Sequence, residues 1–219
     1  MTAFNYLLQK DLVIVAMDTL VSHSIDKRPL KLISKIHPIS HANCLICGTG
    51  SLEAIQSWLN WVENHNITNI IDLNILAKKD INRLLFRYNK YGTTTVYQFG
   101  YDEKHSEFIG YAYRSTNNYQ FEKLQYGIGI KPDAGIKGDK KELSIEMLNK
   151  FKSDSMEEFF YMIMKEQKLY DDTLPVNEKV GIGGRCQVII LSKNKYELIN
   201  YKKFADYQKT FDAINSSLL

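Results

Sequence analysis

The first eighteen residues constrain the fold of this chain more than any other stretch. Residues 3–8 and 12–17 are two apolar runs rich in β-branched and aromatic side chains, and a polar break at residues 9–11 separates them. Two such runs around a short polar break predict a β-hairpin, and the second run is apolar enough to be buried on both faces. The chain is therefore expected to begin inside its own sheet, with Asp18 directly after the second strand.

Thr2 follows the start methionine, and a small residue at this position is expected to favour removal of Met1. The trimmed chain would begin with a threonine that carries both a hydroxyl and a free α-amine. A hydroxyl and an adjacent amine can serve together as nucleophile and base. The sequence thus offers a candidate catalytic group at its first position.

Length and composition favour one globular domain. The chain has 219 residues, of which 44% are hydrophobic and 24% charged, and these values are typical of a folded domain rather than a disordered segment. The formal net charge is only +3, and lysine and arginine are scattered rather than concentrated in a stripe. A nucleic acid partner is therefore not expected.

Neither a membrane segment nor an export signal is expected. Every apolar run is too short to form a transmembrane helix, and the N-terminal run lacks a basic leader. Three cysteines in such a chain favour a reducing, cytoplasmic location. Cys44 and Cys47 have a C-x-x-C spacing, but positions three apart on a strand point to opposite faces, so we interpret them as buried apolar thiols rather than a redox or zinc site.

The rest of the chain alternates between strand and helix patterns. Ser51 is expected to cap a helix with an apolar face along residues 52–62, and Ile75 is expected on the apolar face of the next helix. The other predicted elements follow in chain order: strands over 30–39 and 42–47, a helix over 75–88, a meander of strands over 93–99, 108–113 and 121–126 that ends at 127–130, a surface excursion over 131–141, helices over 143–151 and 156–170, strands over 186–191 and 196–199, and a tail helix over 202–214.

This order of elements predicts an α+β fold in which two antiparallel sheets stack face to face with helices on both outer sides. Such a fold is a four-layer αββα sandwich.

Four stretches carry a resemblance: Thr2 with the strand ending at Asp18, residues 35–39, residues 47–51 and residues 96–102. Together they resemble the β-type subunits of the proteasome, in the N-terminal nucleophile hydrolase superfamily. In the expected lack of a propeptide, the chain most resembles the bacterial ATP-dependent heat-shock peptidase of that fold. The resemblance implies a single domain over residues 1–219 with a divergent insertion at about 131–151.

The resemblance also implies a site. Thr2 would be the nucleophile and its α-amine the base, while Lys35 would lower the pKa of both groups and Asp18 would hold Lys35. The backbone N–H of Gly48 or Gly50 would bind the tetrahedral oxyanion. The implied activity is that of a threonine-type peptidase or amidase that cleaves peptide or amide bonds through an acyl-enzyme.

Some alternatives stay open at this point. Lys31 rivals Lys35, because the step from Asp18 to Lys35 is one residue longer than in the family. Ile128 and Ile182 stand where the family has accessory serine and aspartate positions, and Glu178 is the nearest acid to the second of these. A catalytically inactive subunit with a structural or assembly role is therefore the competing hypothesis. Asp18 could also simply cap a turn, and Lys35 could be a strand-edge charge.

Partners and cofactors follow from the resemblance alone. It implies a peptide or protein substrate, a homo-oligomeric ring and an ATP-driven unfoldase, and it implies no metal or organic cofactor. The helices around Trp58 and Trp61 or around Met162 are candidate ring contacts.

Overall fold

The computed structural model describes residues 2–132, 155–193 and 195–217, so the predicted helix over 143–151 and nearly all of the predicted insertion lie outside the described residues. The described strands, in chain order, are β1 (Phe4–Leu8), β2 (Leu12–Asp18), β3 (Leu20–Ser22), β4 (Pro29–Leu32), β5 (Ile36–Ile39), β6 (Cys44–Thr49), β7 (Thr95–Asp102), β8 (Glu107–Arg114), β9 (Phe121–Lys123), β10 (Gly127–Lys131), β11 (Arg185–Ser192) and β12 (Lys195–Lys203). The described helices are α1 (Leu52–Glu63), α2 (Ile70–Leu85), α3 (Met156–Thr173) and α4 (Tyr207–Ser216).

The N-terminal hairpin forms the centre of a five-stranded antiparallel sheet with the order β10-β1-β2-β11-β12, which we call the hairpin sheet. In its register Phe4 lies opposite Met17 and Leu8 opposite Val13. The predicted hairpin is therefore present, and its second strand is flanked by β1 on one side and β11 on the other. Both faces of this strand are also buried, because Val13, Val15 and Met17 pack in one apolar cluster and Ile14 and Ala16 pack in another. Burial on both faces explains why its sequence is almost wholly apolar.

A second five-stranded antiparallel sheet has the order β5-β6-β7-β8-β9, and we call it the meander sheet. The prediction that residues 127–130 end this meander was wrong, because they form most of β10, which pairs with β1 in the hairpin sheet. The single strand predicted over 30–39 was also wrong. It divides into β4, which pairs only with β3 in a short ribbon, and β5, which joins the meander sheet.

Side chains of both sheets meet in one apolar cluster. The ring of Phe4 on β1 stacks on that of Tyr97 on β7, with centroids 4.0 Å apart. Tyr6 lies against Phe99 with its ring tilted, at a centroid distance of 5.4 Å. Such aromatic pairs bury large apolar areas and add a geometric preference. This contact between the sheets fixes where the ends of their strands lie relative to each other.

Helices α1 and α2 cover the other face of the meander sheet. The side chain of Ser51 accepts a hydrogen bond from the N–H of Ala54 at 3.2 Å, so the predicted N-cap is confirmed. Trp58 is fully buried in this packing and Trp61 is partly buried, and a ring contact through this helix stays a prediction. The apolar period of α1 therefore serves the core of the protein.

The predicted bounds of α2 were wrong at its start. Asn69 accepts hydrogen bonds from the N–H groups of Ile71 and Asp72 at 2.8 and 3.0 Å, so the helix begins at Ile70, five residues before the predicted start. Ile75 is 61% exposed and does not lie on the apolar face. The cap residue decides the start because it satisfies N–H groups that have no partner inside the helix.

Helix α3 covers the other face of the hairpin sheet. Ser155 caps it by accepting from the N–H of Glu158 at 3.2 Å. Further along, the buried side-chain amides of Gln167 and Asn5 exchange two hydrogen bonds of 2.8 and 2.9 Å, which tie the helix to β1. A pair of buried amides that satisfy each other specifies one position of the helix along the strand.

The C-terminal segment departs from prediction in its first part. Residues up to Lys203 belong to β12, which pairs with β11, and α4 begins only at Tyr207. The apolar spacing over 202–214 resembled a longer helix, but sheet pairing takes up its beginning. Among the described helices, none combines the length and the apolar character that crossing a membrane requires.

Candidate active site

Asp18 lies at the end of β2, opposite Cys186 of β11, and its side chain is fully buried. Its Oδ1 accepts a hydrogen bond from the N–H of Ala3 at 2.9 Å. Its Oδ2 accepts from the N–H groups of Leu20 and Gly183, each at 3.2 Å. These three N–H donors supply hydrogen bonds to a carboxyl group that is fully buried.

Lys35 lies in the short connection between β4 and β5 and is 8% exposed. Its Nζ is 3.1 Å from each carboxylate oxygen of Asp18 and also donates to the carbonyl of Leu20. Burial lowers the pKa of the Lys35 amine, and the neighbouring Asp18 carboxylate opposes this shift. Lys31 is exposed on β4, opposite Val21, so the lysine that the structure brings to Asp18 is Lys35.

Thr2 is buried and directly precedes Ala3, whose N–H is bound by Asp18. A single oxygen, Oδ1 of Asp18, therefore contacts both the backbone beside Thr2 and the amine of Lys35. Met1 lies outside the described residues, and its removal stays a prediction.

Gly48 and Gly50 lie where β6 ends and the chain turns into α1. Gly50 has a φ of +102°, and a Cβ atom there would come within 2.0 Å of the carbonyl oxygen of Thr93. A Cβ at Gly48 would come within 2.1 Å of the Ile55 side chain. Both positions therefore require glycine, the first for its backbone conformation and the second for a close approach.

Most of these residues line one cleft, which has a volume of about 940 Å³. Thr2, Lys35, Gly48 and Gly50 all line it, and Asp18 is buried behind Lys35. Four of the five residues predicted from sequence thus face one cavity, and the fifth binds one of them. The arrangement can hold a carbonyl compound near a hydroxyl, an amine and backbone N–H groups, which are the components of acyl transfer.

The segment around Ile182 is held by an acid that sequence reasoning missed. Asp171 in the last turn of α3 is buried, and its Oδ2 accepts from the N–H groups of Gly181 and Ile182 at 2.9 and 3.2 Å. Its Oδ1 accepts from the N–H of Val180. The N–H of Gly183, the next residue, then reaches Asp18. The available signal was an aspartate at a helix C-terminus, where the helix dipole disfavours a negative charge.

The segment around Ile128 is the second place where the sequence departs from the resembled family, and it joins the apolar core. Ile128 on β10 packs among the side chains between the hairpin sheet and α3. At the end of the same strand the Nζ of Lys131 donates to the Oγ1 of Thr49 at 3.0 Å, between Gly48 and Gly50 in sequence. Burial lowers the pKa of Lys131. Sequence reasoning missed this contact, which joins the edge of the hairpin sheet to the turn at the cleft.

The interpretation of Cys44 and Cys47 as buried thiols is confirmed. Both are free and buried, and they belong to different apolar clusters on the two faces of the meander sheet. Within residues 2–132, 155–193 and 195–217, no group of three or more His, Cys, Asp or Glu side chains is arranged to hold a metal ion.

Solved structures show what this fold resembles. The chain is similar to Anbu (ancestral beta-subunit) from Yersinia bercovieri, with a TM-score of 0.62 and 9% identity over 99% of this chain and 93% of that one. It is also similar to the Anbu (Gly-1) mutant from Hyphomicrobium sp. strain MC1, with a TM-score of 0.60 and 13% identity over 99% and 94% of the two chains. No protein-family model and no curated protein matches the sequence. At these identities the likeness shows the fold alone: this chain folds like the two Anbu structures.

Proposed function

We propose that this chain is an N-terminal threonine hydrolase that cleaves peptide or amide bonds through an acyl-enzyme on Thr2. One observation carries the proposal. Oδ1 of the buried Asp18 contacts both the Nζ of Lys35 and the N–H of Ala3, at a cleft that Thr2 and Lys35 line together. A fully buried ion pair is costly to desolvate, and one at the wall of a cleft is a candidate functional site.

The chemistry begins once Met1 is removed. The α-amine of Thr2, with an ordinary pKa of about 7.7–8.0, takes the hydroxyl proton while Oγ1 attacks the substrate carbonyl carbon. The positive charge of Lys35 lowers the pKa of both groups, and Asp18 keeps that charge in place. The carbonyl oxygen becomes an oxyanion that the N–H of Gly48 or Gly50 binds.

The intermediate then collapses. The bond to the leaving nitrogen breaks, the α-amine returns its proton to that nitrogen, and an ester remains on Thr2. A water molecule attacks the ester and gives a proton to the amine. The bond between the acyl carbon and Oγ1 then breaks, the amine passes that proton to Oγ1, and the acid product leaves. The cycle consumes one water and leaves the threonine unchanged.

The packing of the sheets and helices supports the four-layer arrangement that this class of hydrolase is expected to have. Two antiparallel sheets share one apolar cluster, α1 and α2 cover one outer face, and α3 covers the other. We interpret this arrangement as the four-layer αββα sandwich expected from the sequence.

A catalytically inactive subunit is the second candidate, and one observation favours it. Ile128 and Ile182 stand where the resemblance implies accessory polar groups, and Ile182 is buried with its N–H bound to Asp171. Assembly into a homo-oligomeric ring and service by an ATP-driven unfoldase are part of both hypotheses. Sedimentation velocity of the purified chain, alone and with an unfoldase, tests them.

The deciding experiment is the intact mass of the protein before and after treatment with a β-lactone that acylates N-terminal threonines. We expect a mass without Met1 and a single adduct on Thr2. The Thr2→Ala variant should take up no adduct and hydrolyse no peptide, and Thr2→Ser should retain both reactions at a lower rate.

Thr116→Ala is the matched control, because Thr116 is an exposed threonine in the turn after β8. It should react as the unaltered protein does. Retained Met1, or a trimmed chain that never reacts, would favour the inactive subunit. Hydrolysis that persists in Thr2→Ala would overturn both the nucleophile and the mechanism.

A further inference from the structure

The walls of the cleft carry an excess of positive charge. Besides Lys35, the lysines Lys27, Lys31 and Lys90 line the cleft, and Glu53 is the one acid among its described lining residues. Lys35 is neutralised by Asp18, and Glu53 offsets one further charge, so Lys27 and Lys31 still leave the walls with a net positive charge. Burial lowers the pKa of His37, another lining residue, so this imidazole adds no charge near neutral pH.

Asp26 is the acid of the ribbon, and it does not offset the charge of these lysines in the cleft wall. Asp26 lies in the turn between β3 and β4, where its Oδ1 bonds to the Nδ1 of His23 at 2.9 Å and to the N–H of Arg28 at 3.2 Å. It does not appear in the cleft wall, whereas its neighbour Lys27 does. The ribbon therefore contributes Lys27 and Lys31 to the cleft wall, whereas Asp26 stays bonded within its own turn.

The cleft also has apolar lining that suits a peptide rather than a small anion. Leu20 and Leu30 contribute from the ribbon and Leu52 from the start of α1. An extended segment with an aliphatic stem and a terminal carboxylate matches both features, because the stem contacts leucines and the carboxylate meets ammonium groups. Cations that line one cleft also raise the local concentration of anionic ligands.

From this geometry we propose that the cleft recognises peptide segments with an aspartate or glutamate side chain beside the scissile bond. This inference rests on the proposed function, since it names the substrate class of the same site. We expect Lys31 to contribute most to the preference for acidic side chains, because its side chain is exposed on β4 and lines the cleft.

The test separates binding from hydrolysis. Fluorescence anisotropy of the Thr2→Ala variant would compare three labelled peptides of equal length that carry glutamate, glutamine or lysine at one position. We expect the glutamate peptide to bind about tenfold more tightly than the glutamine peptide at low salt, and the difference to shrink in 0.5 M salt, about where screening becomes strong.

The variant Lys31→Glu should reduce the preference for the glutamate peptide about fivefold, since charge reversal replaces attraction by repulsion at an exposed position. Lys10→Glu is the matched control, because Lys10 is an exposed lysine in the turn at the opposite end of the hairpin. It should leave the preference unchanged. Equal losses in both variants would show a general effect of net charge and overturn the role of the cleft.

The two proposals fail in different ways. Equal binding of the glutamate and glutamine peptides, or a preference for lysine, overturns the acidic specificity even if the enzyme hydrolyses peptides. If the unaltered protein hydrolyses none of the peptides but Thr2→Ala still prefers glutamate, the proposed reaction fails while the acidic cleft stands. If a role of Lys31 in catalysis explains the data, Lys31→Glu slows all three peptides equally and leaves the binding preference intact, which also overturns this inference.

Discussion

Two pairs of carboxylate and lysine in this protein differ in burial rather than in chemistry. Asp18 and Lys35 are 3.1 Å apart, with side chains 0% and 8% exposed. Glu158 and Lys202 are closer, at 2.6 Å, but their side chains are 28% and 48% exposed. The shorter distance thus belongs to the pair that water screens.

The comparison shows that burial, not distance, decides what an ion pair contributes. Charges in water lose little when their partner is removed, whereas a buried charge without its partner is strongly unfavourable. Glu158 also accepts a hydrogen bond from the hydroxyl of Tyr201. The pKa of its carboxyl is lowered, and the main cause is the hydrogen bond from Lys202. We expect the exposed pair to fasten β12 to α3 weakly and the buried pair to be both structurally and functionally important.

The largest effect is expected from Asp18→Ala. Lys35 would remain buried without its counter-charge, and three N–H groups would lose their acceptor, so the free energy of unfolding should fall by about 3–5 kcal/mol. Urea unfolding followed by circular dichroism measures this change. Asp11→Ala, an exposed aspartate in the hairpin turn, is the control and should unfold like the unaltered protein. A loss below about 1 kcal/mol, the value of an exposed pair, would show that burial does not matter here.

The double variant Asp18→Asn with Lys35→Met sharpens the comparison by removing both charges at once. Asn keeps one acceptor oxygen for the N–H groups but turns its amide donor toward the others, and Met fills the space of the lysine stem, so only part of the lost stability should return. Activity should stay at least about 100-fold below that of the unaltered enzyme, because the charge beside Thr2 is gone. Urea unfolding and peptide hydrolysis are measured on the same preparation. Recovery of both stability and activity would show that the Asp18–Lys35 ion pair has only a structural role.

Asp171→Asn should have an intermediate effect. The amide would present a donor where Oδ1 or Oδ2 now accepts from three N–H groups, which should cost about 2 kcal/mol of unfolding free energy. We also expect kcat to fall more than KM changes, because the loop positions Gly183 against Asp18. Asp172→Asn, an exposed neighbour that pairs with Lys168, is the control. If the variant loses stability but keeps its kcat, Asp171 stabilises the loop and has no part in positioning the catalytic groups.

The pH dependence of hydrolysis tests the buried amine itself. Because burial lowers the pKa of Lys35, the amine loses its proton and its charge at a pH below its ordinary value of 10.5. The rate should therefore rise as the α-amine of Thr2 deprotonates and then fall about tenfold per pH unit at an alkaline limb below pH 10.5. Measurements of kcat/KM on a neutral peptide from pH 5 to the onset of unfolding show both limbs. A rate that stays constant up to pH 10.5 would contradict a role for charged Lys35.

Glu158→Gln should have the smallest effect. The pKa of Glu158 is lowered, so its contribution to stability is present above the ordinary carboxyl pKa and is lost as the pH falls through the folded value. At neutral pH we expect the melting temperature to fall by no more than about 2 °C, and raising the salt concentration should remove even this difference. A shift as large as that of Asp18→Ala would reverse the comparison.

Much of the local structure was predictable from the sequence. The hairpin was readable because two apolar runs flank a polar break, and the start of α1 was readable because Ser51 precedes an apolar period. The start of α2 was missed although Asn69 is as good a cap as Ser51. The exposed Ile71 and Ile75 disturb the apolar period there, and the pattern was followed instead of the cap.

The candidate site was only partly predictable. Asp18 and Lys35 could be proposed as partners, and the structure brings them together, but their catalytic roles remain predictions. Asp171 was missed although an aspartate near a helix C-terminus was an available signal, because the backbone N–H groups that it binds leave no sequence pattern. Lys131 was missed because its partner Thr49 is distant in sequence.

The sequence by itself determined short-range features: most of the runs that form strands and the cap at which α1 begins. These depend on side-chain periodicity and on backbone conformation, and both are properties of neighbouring residues. Only the tertiary structure decided that β10 joins the hairpin sheet, that Lys35 rather than Lys31 meets Asp18, and that the lysines of the β3–β4 ribbon face the cleft. Each of these depends on the packing of segments far apart in the chain, where burial and electrostatic pairing select one arrangement among several that the local pattern allows.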